Sequence, residues 1–490
     1  DLRETAMTTE MLRGFWAAAL ALALSACGGG GSESGRSNLG ATLSGEATAA
    51  VTGTITGFGS IYVNGIRFET RGATITKDNA PAQESDLRVG QVVNVRGRID
   101  NRGGGTAESI TQSDNVKGPI ASIDGAASRF VVLGQTVIVD ANTSFDDSII
   151  PASIQGLRVG DQVEVSGLIA ANGDIHATRI ERRRLGQTEL KVVGRVSAHN
   201  AADKTFKINA LTVTYATAQL EGFALGAPAD GDLVEVKGNT LNAAGQLVAT
   251  KVEIERDEPR GAERGDKREI EGLITRFVSA TDFDVAGRKV TTNAATVFEG
   301  GTVADLALNV RVEVEGRLDA AGVLVAAKVS FRHAGNARLE ARVDSVERAA
   351  RKLVVLGVEV MLTDTTRLED KGSNRLDRFN IENIQPGDFV RVRGRETAPL
   401  RLTASRLERR NPQNEVRVRG TARDVAAPRL TVLGVPVETT PNTRFEGAGG
   451  VSVSAAEFFA NAAGRIVSAK GTLSGNVVIA REVEFEDSDD

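Results

Sequence analysis

The chain has 490 residues, of which 41% are apolar, 25% are charged and 4% are aromatic. This length is too great for one ordinary hydrophobic core and this composition is that of a folded protein, so we expect several domains and exclude a disordered chain. The formal net charge of −5 also excludes a global basic field that would attract nucleic acid.

The first recognisable pattern along the chain is typical of a bacterial export signal. Arg13 precedes a run of about twelve apolar residues that ends at Ala26, whereas a bilayer-spanning helix needs roughly 20. The run is therefore predicted to be the core of a signal peptide. Leu24, Ser25, Ala26 and Cys27 together resemble the lipobox of bacterial lipoproteins. This resemblance implies cleavage between Ala26 and Cys27 and lipidation of Cys27, with acyl chains such as palmitate.

A lipid anchor at this position predicts where the protein resides. Each buried CH₂ contributes about 0.8 kcal/mol, so two or more acyl chains hold a protein stably in a membrane where one chain would not. We expect a signal peptide over residues 1–26, with residues 1–6 a mis-called extension before Met7, and a flexible tether over residues 27–50. Gly28, by resemblance to Gram-negative lipoproteins, favours the outer membrane. The single cysteine excludes an intramolecular disulfide.

Beyond the tether, one eight-residue pattern recurs six times, and we call each copy an octamer. The copies are GQVVNVRG (90–97), GDQVEVSG (160–167), GDLVEVKG (231–238), NVRVEVEG (309–316), GDFVRVRG (387–394) and GRIVSAKG (464–471). Val163 and Val165 alternate with polar residues, and this period of two predicts a strand with one buried and one solvated face. The opening Gly-Asp predicts a turn into the strand, and the closing glycine predicts a bend or bulge.

Motifs on both sides of the octamer predict hairpins. Upstream, Asn64-Gly65 and the Leu-Gly pairs at 133–134, 356–357 and 433–434 separate two strand-like runs. Downstream, Asn172-Gly173 and Ala321-Gly322 mark a second hairpin. The helical signal is confined to a turn at Ser454–Asn461. Each repeat therefore offers five or six short antiparallel strands.

A sheet of this size must cover both its apolar face and its edges, and closure into a small barrel does both. The sequence predicts an all-β protein, a tandem array of six small antiparallel β-barrels of OB-like or Greek-key type that stand in file. Phe145, Phe298 and Phe445 share one repeat position and are predicted to fill the cores. The predicted barrels span residues 51–115, 116–184, 190–257, 268–332, 338–410 and 415–487.

Charged stretches lie at or near the boundaries between repeats. They are ERRRLGQTE (181–189), ERDEPRGAERGDKRE (255–269), RHAGNAR (332–338) and ERRNPQNE (408–415). Acidic residues are interleaved with most of the arginines, which favours solvated linkers over a patch for nucleic acid or an acidic polymer.

The octamer and its upstream Leu-Gly hairpin resemble a bacterial exported family known as domain of unknown function 5666. The resemblance covers about residues 51–486 and implies tandem domains behind a lipoprotein signal. Two copies depart from the pattern: Ala469 replaces a valine in the last octamer, and Ala341 stands where other repeats carry an early glycine. The family implies no catalytic or ligand-binding residues.

The sequence offers no catalytic motif and no metal-binding motif. His176, His199 and His333 occupy non-equivalent positions in the repeats, which argues against a zinc site or a histidine-dependent triad. The patterns G-x-S-x-G, H-E-x-x-H and G-x-x-x-x-G-K-[ST] are missing. We therefore predict a non-enzymatic protein with no cofactor and no metal.

Several acidic positions have simpler roles than metal binding. The stretch DFDVAG (282–287) begins like a calcium loop, but Ala286 and Asn293 occupy ligand positions. Asp161, Asp232 and Asp388 follow the opening glycine and are predicted to form turns. Asp146-Asp147 and the tail at 484–490 are predicted to be solubilising surface.

These features lead to two hypotheses for function. The first is a lipid-anchored cell-envelope scaffold, spacer or adhesion-type surface protein, with the membrane as its partner through Cys27 and an envelope protein or glycan as a further partner. The alternative is a multivalent binding module for cell-wall glycan, a partner protein or a divalent cation. Tyr62 and Tyr215 are the only tyrosines, and Trp16 lies in the signal peptide. This scarcity argues against ligand stacking on aromatic side chains.

Overall fold

The computed structural model of the protein describes residues 47–486, apart from 101–102, 184–185, 256–266, 333–334, 374, 377 and 448–449. The predicted signal peptide, Ala26, Cys27, most of the tether and His333 lie outside the described residues. No helix within this part of the chain combines the length and the apolar character needed to cross a membrane.

The first three repeats contain twenty strands. Repeat 1 comprises β1 (Ala47–Gly57), β2 (Ile61–Val63), β3 (Ile66–Glu69), β4 (Thr74–Lys77), β5 (Ala80–Pro81), β6 (Val92–Ile99) and β7 (Gly104–Gln112). Repeat 2 comprises β8 (Val116–Asp124), β9 (Arg129–Val132), β10 (Gln135–Ile138), β11 (Ser144–Phe145), β12 (Gln162–Ile169) and β13 (Ile175–Arg182). Repeat 3 comprises β14 (Leu190–Arg195), β15 (Ser197–Asn200), β16 (Thr205–Ile208), β17 (Leu211–Thr214), β18 (Gln219–Glu221), β19 (Leu233–Leu241) and β20 (Leu247–Ile254).

The last three repeats contain sixteen strands. Repeat 4 comprises β21 (Lys267–Ser279), β22 (Asp282–Val285), β23 (Arg288–Thr291), β24 (Val297–Glu299), β25 (Arg311–Leu318) and β26 (Leu324–Phe331). Repeat 5 comprises β27 (Ala337–Glu347), β28 (Lys352–Val355), β29 (Val358–Asp370), β30 (Phe389–Ala398) and β31 (Arg401–Arg410). Repeat 6 comprises β32 (Val416–Ala426), β33 (Arg429–Val432), β34 (Val435–Glu446), α1 (Ala455–Asn461), β35 (Ile466–Ser474) and β36 (Val477–Phe485).

Short 3₁₀ turns precede the octamer strand in several repeats, at Glu84–Asp86, Ile154–Gly156, Val303–Asp305 and Ile381–Asn383, and a further one at Arg348–Ala350 joins β27 to β28. In repeat 6 the helix α1 takes the place of the turn before the octamer. Its N-cap is Ser454, whose side chain accepts a hydrogen bond from the backbone N–H of Glu457. The helical turn predicted at Ser454–Asn461 is confirmed.

The strands of each repeat close into a ring of five. In repeat 1, β1 pairs with β2 and with β6, β2 pairs with β3, and β6 pairs with β7, all antiparallel, while a parallel pair between β3 and β7 completes the ring. The same order recurs in the other repeats, with β14 and β15 sharing the first position in repeat 3. The all-β prediction is confirmed. The expectation of purely antiparallel pairing is wrong, because the last strand, which forms a hairpin with the fourth, also pairs in parallel with the third strand.

The octamers form the fourth strand of each ring, and their alternation has the predicted consequence. Val163 and Val165 are fully buried, as are the equivalent valines of the next three octamers. The closing glycine of every octamer lies at a β-bulge against the last strand of its repeat. A Cβ atom there would lie 2.0–2.5 Å from a carbonyl oxygen of that strand, against 3.4–4 Å for ordinary contact. Only glycine permits this approach.

The predicted turns also form. Gly160 takes φ of +91° where the chain enters the octamer, and Asn309 takes φ of +64° where repeat 4 has no glycine. Asp161 accepts a hydrogen bond from the backbone N–H of Arg158 at 2.9 Å. Asp232 and Asp388 accept equivalent bonds at the same distance. These aspartates are turn residues, as expected.

The upstream hairpins turn at the predicted dipeptides. Asn64 and Gly65 both have positive φ, as do the Leu-Gly pairs of repeats 2, 5 and 6, which is the pattern of a type I′ turn. Leu133 and Leu433 are buried in this unusual conformation. A Cβ atom on the early glycines Gly118 and Gly420 would lie 2.9 Å and 2.8 Å from these leucines. The early glycine thus makes room for the hairpin that folds over it.

The repeats are not six separate barrels, and this part of the prediction is wrong. β1 pairs in parallel with β21, β8 pairs antiparallel with β14, and β27 pairs antiparallel with β32, so repeats 1 and 4, 2 and 3, and 5 and 6 share sheets. The physical reason lies in the first strand, since β1 pairs with β2 only from Ile55 onward. Its first half keeps an open edge, and Ala49–Thr52 pair there with repeat 4.

The hydrophobic cores follow this pairing only in part. One core cluster joins repeats 2 and 3 and another joins repeats 5 and 6, while repeats 1 and 4 each have their own. Phe145 lies in a core, and Phe298 and Phe445 pack half-buried against one. The described repeats form one continuous assembly that resembles a solenoid. They do not stand in file, because repeat 1 pairs with repeat 4.

Candidate functional site

A large cavity lies where repeats 1, 4 and 5 meet, and we call it the junction cavity. Its volume is about 1290 Å³. Repeat 4 supplies its floor from β21, β25 and β26. Because the apolar residues of these strands face the barrel core, the alternate residues face the cavity. They are Lys267, Glu269, Glu271, Arg311, Glu313, Glu315, Arg317, Lys328 and Ser330.

Most acidic groups of the floor have a cationic partner. Lys267 Nζ lies 2.8 Å from a carboxylate oxygen of Glu315, and Lys328 Nζ lies 3.6 Å from the other. Arg332 forms an ion pair with Glu313. These pairs tie neighbouring strands of repeat 4 together across the floor.

Glu271 joins repeat 4 to repeat 1. One carboxylate oxygen lies 2.6 Å from Arg311, and the other accepts a hydrogen bond of 2.9 Å from the backbone N–H of Thr54 in β1. Burial alone would raise the pKa of Glu271. Arg311 and the more distant Arg367 and Arg332 outweigh burial and lower that pKa to about 2.

Glu269 is the exception on the floor. Its side chain is buried with 3% exposure, and Oε1 has no hydrogen-bond partner among the described residues. Burial raises the pKa of Glu269 well above its usual range, and the neighbouring Glu313 and Glu315 raise it further. Thr54 Oγ1, which also lines the cavity, is buried without a partner. The junction cavity therefore contains two unsatisfied oxygen atoms.

Repeat 5 supplies the opposite wall. Arg351 pairs with Asp364 at the rim, and Thr403 and Ser405 of β31 line the interior. Arg367 is buried, and its Nη1 donates a hydrogen bond of 2.6 Å to the carbonyl oxygen of Asn142 in repeat 2. Burial, reinforced by Arg311, lowers the pKa of Arg367 to about 10. The cavity is thus framed by charged strands from different repeats.

The other candidate residues remain apart from this cavity. His176 lies on β13, and burial lowers its pKa; His199 contacts Tyr215, with 2.6 Å between Nε2 and the hydroxyl oxygen. In the stretch 282–287, Asp282 and Asp284 both pair with Arg276. The described structure does not bring any of these together as a ligand set.

Asp147 and a cluster of three glutamates form contacts that the sequence did not predict. Asp147, predicted to be free surface, pairs with Lys371 of repeat 5 at 2.7 Å. Glu446, Glu482 and Glu484 are half-buried, and their oxygen atoms approach within 4.8 Å of one another. Arg444 already pairs with Glu482. The end of the acidic tail, 487–490, lies outside the described residues.

Sequence reasoning missed the central residue of the cavity. Glu269 belongs to a charged stretch, 255–269, that was expected to be a solvated linker, yet β21 begins at Lys267 and buries it. Glu408, in another such stretch, is also buried. The octamers contained a signal for the acidic floor of repeat 4. Only NVRVEVEG carries glutamate at both polar positions of the strand, Glu313 and Glu315.

The described fold defines a class of protein, a β repeat protein whose units each close a ring of five strands and share sheets in pairs. The chain belongs to the family described as Domain of unknown function (DUF5666). Six copies of the family pattern match residues 49–111, 117–181, 193–253, 271–330, 340–408 and 419–484, which together exceed half of the chain. No curated protein matches the sequence.

Proposed function

We propose that the protein is a non-enzymatic, lipid-anchored binding protein of the bacterial cell envelope, with the junction cavity as its ligand site. The observation that carries this proposal is the buried Glu269 side chain, whose Oε1 has no hydrogen-bond partner among the described residues, in a cavity of about 1290 Å³. An unsatisfied buried acidic group costs folding free energy, so its position in a cavity favours a binding role. The non-enzymatic part rests on the sequence, which lacks catalytic motifs.

We further propose that each repeat is an OB-like barrel. The ring order, with a parallel pair between the third and the last strand and a short helical turn before the fourth, supports this class. OB-type barrels are five-stranded and bind ligands on the face of their second and third strands. The junction cavity uses a different outer face of repeat 4, that of its first, fourth and fifth ring strands, β21, β25 and β26.

The anchor and location are proposed from the sequence. Leu24-Ser25-Ala26-Cys27 supports lipidation at Cys27, and Gly28 supports the outer membrane. The scaffold function is retained in a narrower sense, because paired repeats hold the walls of the cavity in place. The spacer function loses support, since the repeats do not follow one another in space in chain order. An envelope protein or glycan remains a candidate source of the ligand.

The test is to fill the cavity and look for loss of a bound ligand. Ser405 and Thr250 occupy the same position in repeats 5 and 3, and each hydroxyl donates to the equivalent backbone carbonyl, that of Arg393 at 3.3 Å and that of Lys237 at 3.2 Å. Only Ser405 lines the cavity. Ser405→Trp therefore fills the cavity, and Thr250→Trp is the matched control.

The full chain, purified in detergent, is incubated with the low-molecular-mass fraction of a bacterial envelope extract and analysed by native mass spectrometry. We expect an added mass on the wild type and on Thr250→Trp, and none on Ser405→Trp. A wild type without added mass, or an added mass that survives Ser405→Trp, would overturn the proposal.

A further inference from the structure

We infer that the ligand of the junction cavity carries an organic ammonium group that binds to the carboxylate of Glu269. This inference rests on the proposed function and specifies the ligand class of the same site. It follows from the position of Glu269 on the floor, from the lack of a hydrogen-bond partner for its Oε1 among the described residues, and from the ion pairs that its neighbours form.

Among the described residues, the ammonium and guanidinium groups closest to Glu269 on the floor already have carboxylate partners. Lys267 and Lys328, the ammonium groups of the floor, both bind Glu315. Glu269 faces Glu315 directly across the strand pair formed by β21 and β25. Like charges in this position are destabilising. Lys267 and Lys328 lower the pKa of Glu269 less than burial and the neighbouring carboxylates raise it.

The number of oxygen ligands in the cavity indicates the kind of cation that it can bind. A calcium ion takes six to eight oxygen ligands, often from several carboxylates. Among the described residues, the only three acidic side chains whose oxygens converge within 4.8 Å are Glu446, Glu482 and Glu484, outside the cavity. Glu269 instead offers one carboxylate, and Thr54 offers one hydroxyl in the same cavity. An ammonium group, with three N–H donors, needs only such separate acceptors.

A glutamate at the position of Glu269 occurs in repeat 4 and in none of the other five repeats. Glu269 lies on β21, three residues before the early glycine Gly272. At the equivalent position the other repeats carry Ala50, Asn115, Lys191, Arg338 and Arg417. The residue is therefore not required by the barrel frame. It lies where the cavity is, and the cavity has space for an organic cation.

The experiment measures binding of 1,4-diaminobutane to the detergent-solubilised full chain by isothermal titration calorimetry. The neutral 1,4-butanediol, of nearly the same shape, and magnesium chloride are the comparison ligands. Glu269→Gln removes the charge and keeps the side-chain size, while Glu457→Gln, on the exposed face of α1, is the matched control. Thermal unfolding of each variant verifies that the fold is intact.

We expect the diamine to bind the wild type and Glu457→Gln equally, and Glu269→Gln at least about tenfold more weakly, as loss of a charged hydrogen bond requires. The diol and magnesium should not bind. Equal binding of the diamine to Glu269→Gln, or tighter binding of magnesium than of the diamine, would overturn the inference.

The two proposals fail in different ways. If the envelope ligand is lost in Ser405→Trp but kept at full affinity in Glu269→Gln, the cavity is the binding site and the ammonium inference is wrong. If the envelope ligand survives Ser405→Trp, the proposed site itself is wrong.

Discussion

Substitution of the closing octamer glycine by alanine should destabilise a repeat, and Gly167 is the best position for the test. A Cβ atom on Gly167 would lie 2.5 Å from the carbonyl oxygen of His176 and 2.7 Å from a methyl group of Ile175. Ordinary contact begins at 3.4 Å, so the two strands must separate by about 0.9 Å. The obstacle is backbone of β13, which pairs with β12 along its length.

Overpacking of a buried site costs about 1–3 kcal/mol, and we expect about 2 kcal/mol for Gly167→Ala. Repeats 2 and 3 share one core, so they should unfold together, and for a unit of roughly 150 residues this loss lowers the unfolding midpoint by about 4–8 °C. Urea titration followed by circular dichroism gives the free energy of unfolding. Hydrogen exchange locates the loss in β12 and β13.

The control for Gly167→Ala is Gly125→Ala in the same repeat. Gly125 has an ordinary φ, and a Cβ atom there would have no heavy atom within 4 Å. Gly125→Ala should be neutral or should stabilise by up to about 1 kcal/mol through the unfolded chain. Equal stability of the two alanine variants would refute the close-contact explanation of the repeated glycine.

Three further outcomes are expected. Burial, assisted by the negative charge of Asp78, raises the pKa of Asp114 from 3.8 to about 6. This shift lowers the free energy of unfolding as pH rises. The loss is absent below pH 3.8 and grows to about 3 kcal/mol as pH rises through 6. The free energy of unfolding of Asp114→Asn relative to wild type should increase by that amount between pH 4 and pH 7; a constant difference would contradict this. Glu271→Gln should lose about 1.5–3 kcal/mol in urea titrations at pH 7, because the half-buried Arg311 loses its charged hydrogen-bond partner. Cys27→Ala should move the protein from the membrane fraction to the soluble fraction, and continued membrane retention would count against the lipid anchor.

Much of the repeat could be predicted from its sequence because backbone geometry dictates the residues. Gly167 is required by a close carbonyl, Gly160 by a positive φ, and Val163 and Val165 by a buried face. Local requirements of this kind leave a direct trace in the residue type. The strand, the bulge and the hairpins were accordingly predictable, down to the dipeptides at the turns.

The relations between repeats left no comparable trace. Ala49–Thr52 pair with a strand more than two hundred residues away, and nothing in those four residues specifies the partner. Glu269 shows the same limit at the candidate site. Its charged neighbours in sequence are typical of a linker, and its burial depends on β1 and β25 arriving from elsewhere in the chain.

The polar octamer positions acquire a different meaning once the interfaces are known. These residues vary between repeats, and several of them contact or face other repeats or the junction cavity. Glu164 lies 3.6 Å from Lys77 of repeat 1, Arg393 donates to the carbonyl oxygen of Ala141 in repeat 2, and Glu313 faces the junction cavity.

A constant apolar frame with variable outward residues allows one barrel design to form six different contacts. The outward residues select the neighbour, since unlike charges attract across an interface and like charges exclude the wrong partner. Such a charge can be neutralised both by an adjoining repeat and within its own repeat, as Lys191 is by Asp78 of repeat 1 at 2.5 Å and by Glu235 of repeat 3 at 2.7 Å. On the same kind of surface, Oε1 of the buried Glu269 lacks a hydrogen-bond partner among the described residues, and the ammonium inference assigns that partner to a ligand.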